Sequence, residues 1–95
     1  MTIRVKAGFS ATGLWDEQDN MIDPVEAGLS PELVDELNAW VEFFSYECFE
    51  PGELTMIPEK SVELHARGRS LTERIKESQP TLSITYVEIN AVFQE

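Results

Sequence analysis

The sequence has 95 residues, 42% of them apolar and 26% charged, with Asp and Glu totalling 18 against 7 Lys and Arg, a formal charge of −11. A chain of this length makes one small domain over 1–95 with a modest core. Its charge argues against free nucleic acid and anionic membranes as partners, because both reward Lys and Arg, and it favours a basic protein partner or simply high solubility. The lone Cys48 forms no internal disulfide, no charged-then-apolar leader precedes Ile3, and no apolar run approaches the roughly 20 residues of a membrane helix. The expected location is the cytoplasm.

Thr2–Phe9 alternates, with Ile3, Val5 and Ala7 on one face and Arg4 and Lys6 on the other, which predicts a half-buried strand whose bases answer acids elsewhere. Gly8 to Gly28 is long and irregular. Leu14-Trp15 and Met21-Ile22 are apolar anchors on either side of a polar tip, Asp16 to Asn20. They form either a short hairpin or a loop pinned down by burying Trp15 and Ile22. Pro24–Ala27 reads as one helical turn ended by Gly28.

Ser30–Glu50 carries the clearest pattern. Ser30 caps, Pro31 occupies the first turn, and Glu32, Asp35 and Glu36 complement the helix dipole. Leu33, Leu37, Trp40, Val41, Phe44 and Cys48 recur at helical steps, and Pro51-Gly52 ends the helix near Phe49. Pro51–Pro58 is a connection in which Leu54, Met56 and Ile57 dip toward the core. A second helix, Glu59–Ser78, carries the stripe Leu64, Gly68, Leu71 and Ile75. A mid-helix Gly costs about 1 kcal/mol relative to Ala, so a close backbone neighbour is expected at Gly68. Gln79-Pro80 breaks this helix, and Thr81–Phe93 reads as strand. Its apolar set changes face near Tyr86-Val87, which suits a bulge or a strand covered on both sides.

The order strand, loop, helix, helix, strand predicts an α+β fold with two helices packed on a small sheet. Two strands alone are marginal. Either the loop supplies a hairpin, or a second copy completes the edge, for which Val87–Phe93 is the candidate in a homodimer.

Charge is unevenly distributed. No base occurs between Lys6 and Lys60, while that span holds a long series of acids from Asp16 to Glu59. Solubility alone explains a solvated acidic face, but a gap of this length is also what a basic target surface would select.

No catalytic pattern competes with this. Cys48 continues the apolar stripe and reads as a buried thiol, and His65 beside Leu64 reads as a surface or partly buried helix residue. A Cys–His nucleophile would need the two adjacent. Asp16, Asp19 and Asp23 lack the glycine and terminal glutamate of a calcium loop, so the expectation is no metal, no cofactor and no catalytic residue. Trp15 and Trp40 read first as core anchors.

The stretch Leu14-Trp15-Asp16-Glu17, Ile22-Asp23-Pro24, Gly28-Leu29-Ser30-Pro31-Glu32-Leu33, Leu37, Trp40, followed by a helix with central Gly68 and a final strand, resembles a pattern in small acidic bacterial proteins. It departs from that pattern at Asp19-Asn20, where a turn glycine is common. Such proteins are similar to the immunity-type proteins of toxin and contact-dependent growth inhibition systems. The resemblance implies a non-enzymatic inhibitor that binds and neutralises a cognate toxin, and it brings no catalytic motif with it. Together with the charge, it leads to the expectation of a cytoplasmic immunity protein docking on a basic toxin, a nuclease by preference. The candidate contacts are Trp15, Asp16, Glu17, Asp19, Asp35, Glu36, Glu42 and Glu47, with Trp15 as the anchor if exposed. The alternatives are a DNA mimic that inhibits a restriction or CRISPR-type nuclease, and a structural or regulatory homodimer.

Overall fold

The computed structural model describes residues 2–52 and 55–89. Its elements run β1 (Thr2–Val5), β2 (Leu14–Trp15), α1 (Pro31–Glu47), α2 (Pro58–Ser78) and β3 (Ser83–Tyr86). They form the expected α+β arrangement. The sheet order is β2-β1-β3, with β1 antiparallel to β2 and parallel to β3. In register, Ile3 lies opposite Ile84 and Val5 opposite Tyr86. Val87 extends this ladder by donating its N–H to the Val5 carbonyl.

The long loop resolves the choice between hairpin and pinned loop. Ile22 donates its N–H to the Leu14 carbonyl, Trp15 bridges Met21, and Asp16 donates to Asn20. A hairpin therefore closes around the Asp16–Asn20 tip and gives the sheet its third strand. Thr12 ties its base, with Oγ1 donating to the Ile22 carbonyl at 2.8 Å. The next turn is capped at both ends. The Asp23 carboxylate accepts the Val25 N–H, while Gly28 donates to Val25 and Leu29 to Pro24. That pairing is the Schellman closure, and Gly28 supplies the left-handed residue it needs at φ +90°.

Helix α1 forms for the reasons its sequence carries. Ser30 is extended and its hydroxyl accepts the Leu33 N–H, and Pro31 starts the helix. Leu33, Leu37, Trp40, Val41 and Phe44 are buried as the stripe requires, and so are Phe43 and the thiol-bearing Cys48. The helix stops at Glu47, slightly before the expected Phe49, where Phe49 bridges Met56 and Ile57 donates to the Cys48 carbonyl. Met56 is buried; Leu54 lies outside the described residues. Both helices cover the sheet face made by Ile3, Val5, Ala7 and Ile84, which are all buried in one cluster with Trp40, Phe44, Leu64 and Ile75.

Four expectations need correction. The first strand ends at Val5, because the chain turns after Ala7 toward the hairpin. The last strand is Ser83–Tyr86; Ala91 and Phe93, which belong to the expected dimer edge, lie outside the described residues. The neighbours of Gly68 are rings and not backbone, since a Cβ there would meet the side chains of Tyr86 and Trp40. His65 is buried: its Nδ1 lies 2.6 Å from the Tyr86 hydroxyl and its Nε2 2.8 Å from the Ile89 carbonyl. A carbonyl only accepts, so Nε2 carries the proton and Nδ1 accepts from Tyr86. This neutral imidazole joins α2 to the end of the sheet, and burial holds its pKa below the ordinary value.

No described helix is long and apolar enough to cross a membrane.

Candidate functional site

The expected contact residues divide into those that build the fold and those left on the surface. At the hairpin tip, the Asp16 carboxylate accepts the N–H groups of Gln18 and Asn20 at 2.8 and 2.9 Å, which lowers its pKa. Asp19 adopts a left-handed backbone, φ +66°, and turns its carboxylate to Arg4 and Lys6. Those two cations hold its pKa below the usual range. Trp15 is half-buried. Its indole N–H donates to the Lys6 carbonyl at 2.9 Å, and the Lys6 ammonium sits 4.7 Å above the ring. Trp15, Asp16 and Asp19 thus lock the hairpin to β1, and the Trp15 ring is covered by Lys6. Glu17, beside them, is exposed and has no ion partner among the described residues.

On α1 the acids separate again. Glu36 pairs with Arg74 of α2, which lowers the carboxyl pKa and raises that of the guanidinium. Asp35, Glu42 and Glu47 stand exposed and make no ion pair among the described residues. Asp35 and Glu42 are two helical turns apart on one strip; Glu47 lies beyond them, and Glu17 belongs to the separate hairpin tip.

The bases explain why so much negative charge stays uncompensated. Arg4 and Lys6 share Asp19. Arg67 meets Glu63 at 3.9 Å and stacks 4.5 Å over Phe43, which Lys60 also approaches at 5.7 Å. Arg69 pairs with Glu88 and approaches the Tyr86 ring, Arg74 takes Glu36, and Lys76 takes Glu73 at 3.4 Å. Every Lys and Arg in the chain is therefore held by a carboxylate or an aromatic face, and most of those carboxylates lie in the second half. The described acids between Asp16 and Glu59 are largely left to solvent.

Two exposed aromatics escaped the sequence reading. Tyr46 is 82% exposed and Phe9 is 42% exposed. They border a hollow of about 400 Å³ with Val41, Glu42 and Ser45, and a second of about 320 Å³ that runs on to Phe49 and Glu50. The sequence signal was available for Tyr46, which falls on the polar side of α1, one turn after Glu42. Phe9 closes the expected strand Thr2–Phe9, and its exposure follows from that strand ending at Val5, which leaves Phe9 in irregular backbone.

Cys48 and His65 both lie inside the fold. Burial pushes the Cys48 thiol up to about 11, and its sulfur faces the Lys60 carbonyl. Both ring nitrogens of His65 are engaged inside the fold. Among the described residues, no three His, Cys, Asp or Glu side chains gather as metal ligands would.

Comparison with protein-family models, with curated proteins and with solved structures finds no match to this chain.

Proposed function

We propose that this chain is a non-enzymatic inhibitor of the immunity type, acting in the cytoplasm, which binds and neutralises a basic toxin, a nuclease by preference. One observation carries the reading: the chain's cations are all engaged internally, while Asp35, Glu42 and Glu47 on α1 and Glu17 on the hairpin face solvent with no ion pair among the described residues. A surface of one sign accelerates encounter with an oppositely charged protein and disfavours cations of its own that would repel it. A nuclease suits such a surface because its substrate cleft is itself cationic, so docking there blocks the path of the nucleic acid. The Leu14–Trp40 stretch resembles a pattern in small acidic bacterial proteins, which are in turn similar to immunity-type proteins, and this points the same way.

The test is capture of a partner on the immobilised chain, followed by a salt titration and a nuclease assay of the captured protein. The expected result is a basic protein that is released as ionic strength rises toward 1 M, where the Debye length shrinks to about 3 Å, and whose activity falls when the chain is added back. A partner held equally at low and high salt, or one whose activity is untouched, overturns the reading.

A further inference from the structure

We propose that the groove between Phe9 and Tyr46 is the docking site for an arginine-bearing segment of a protein partner. The inference rests on the reading of the chain as a binder of a basic protein, and it places the interface on the second half of α1, away from the hairpin tip.

The two hollows along this groove share Phe9, Ser45 and Tyr46. The floor mixes apolar and polar side chains: Val41 is buried and Phe9 packs against Phe44 and Phe49 at centroid distances of 4.9 and 5.4 Å, with Asn38 and Ser45 beside them. The rim is acidic: Glu42 on one side and Glu50 on the other, with no Lys or Arg lining either hollow. Aromatic rings beside a carboxylate rim fit a side chain that is flat, apolar on its faces and cationic at its edge. The arginine guanidinium has that form, stacking on rings while its N–H groups take a carboxylate.

The molecule uses this chemistry on its own aromatics. Arg67 lies over Phe43, Arg69 over Tyr86 and Lys6 over Trp15. Tyr46 has no such cover among the described residues, although it is the most exposed of the large apolar side chains. An acid one helical turn away, Glu42, stands where the guanidinium edge would fall. The other concave surfaces are less suited. The hollow between α2 and β3 is lined by Arg69, Glu73, Lys76 and Glu88, which are already paired with one another. The one beside Val25, Leu29 and Val34 has no aromatic floor.

The probe is a nine-residue oligoarginine peptide, with oligolysine of the same length for comparison, titrated at low salt into isotopically labelled protein and followed by amide chemical shifts. Expected are shifts centred on Phe9, Ala11, Glu42 and Tyr46, and tighter binding of arginine than lysine. Tyr46→Ala should weaken arginine binding about 10-fold and Glu42→Gln about 3-fold; Tyr46→Phe keeps the stacking ring and restores most of the affinity lost in Tyr46→Ala, and Glu77→Gln, exposed on α2 away from the groove, stays near the parent. The exposure of Tyr46 leaves the fold intact in these variants, which an unchanged spectrum away from the groove verifies. If the peptide binds but its shifts centre on the hairpin or spread over all acids, and Tyr46→Ala binds as the parent does, the groove assignment falls and the basic-partner reading stands. If neither peptide binds at low salt, both fall.

Discussion

Trp40 of α1 reaches the backbone of Gly68 in α2 so closely that a Cβ at position 68 would stand 2.7 Å from the indole Cζ2. Real carbon atoms do not approach to that distance, and the Tyr86 ring closes the other side. The indole is fixed in place, because its N–H donates to the Leu64 carbonyl one turn earlier at 2.8 Å. The contact joins the two helices and the last strand at a single point.

Gly68→Ala is therefore expected to destabilise the protein although alanine is the better helix former. Propensity favours the change by about 1 kcal/mol, and overpacking opposes it by roughly 1–3 kcal/mol. Urea unfolding should give a lower midpoint for Gly68→Ala. An unchanged or higher midpoint for the single variant would refute the contact as described.

The His65 clasp predicts a pH dependence. Burial keeps the folded-state pKa of His65 below that of the unfolded chain, near 6.5, so the unfolded state binds more protons in the interval between the two. Stability is then fully present above the unfolded value and is lost as pH falls through the folded one. Unfolding midpoints measured downward from pH 7.5 should decline just below pH 6.5, and His65→Gln should flatten that limb. Tyr86→Phe removes the hydroxyl that Nδ1 accepts from, at a cost of about 1 kcal/mol.

Asp19 combines a strained backbone with a structural charge. Asparagine tolerates the left-handed conformation at least as well as aspartate but lacks the charge, and alanine lacks both advantages. The expected order of melting temperature is parent, then Asp19→Asn, then Asp19→Ala. The gap between parent and Asp19→Asn should narrow in high salt, since Arg4 and Lys6 act on Asp19 at an exposed site. The same ion pairs lower the Asp19 pKa, so their contribution is present above the ordinary carboxylate range and lost as pH falls through the folded value. If alanine matches asparagine, the left-handed backbone at Asp19 is of no consequence.

What could be read from the residues was local. Ser30, Pro31 and the repeating Leu33, Leu37, Trp40 and Phe44 determine α1 through neighbours a few positions away, and Arg4 and Lys6 announced a need for acids on the outer sheet face. What could not be read depends on distant partners. Phe43 lies off the apolar stripe and is buried because Arg67 and Lys60 close over it. His65 looks like a surface residue until Tyr86 and Ile89 arrive. At the candidate site, the acids of α1 were legible as charge. Their separation into paired Glu36 and unpaired Asp35 and Glu42 was not, because it turns on where Arg74 reaches across from α2. Trp15 shows the same limit: nothing in Leu14-Trp15-Asp16 says that Lys6 will lie over the ring.

The parallel pairing of β1 with β3, which sets Ile3 against Ile84, has a consequence during synthesis. On the ribosome the hairpin and α1 emerge soon after β1, yet one side of β1 stays without a partner until nearly all of the described chain has been made. Contacts of such long sequence separation close late and slow the folding of small domains. The nascent chain must carry the β3-facing edge of β1 unpaired while the hairpin and both helices are made, and its abundant negative charge then works to keep neighbouring nascent chains apart.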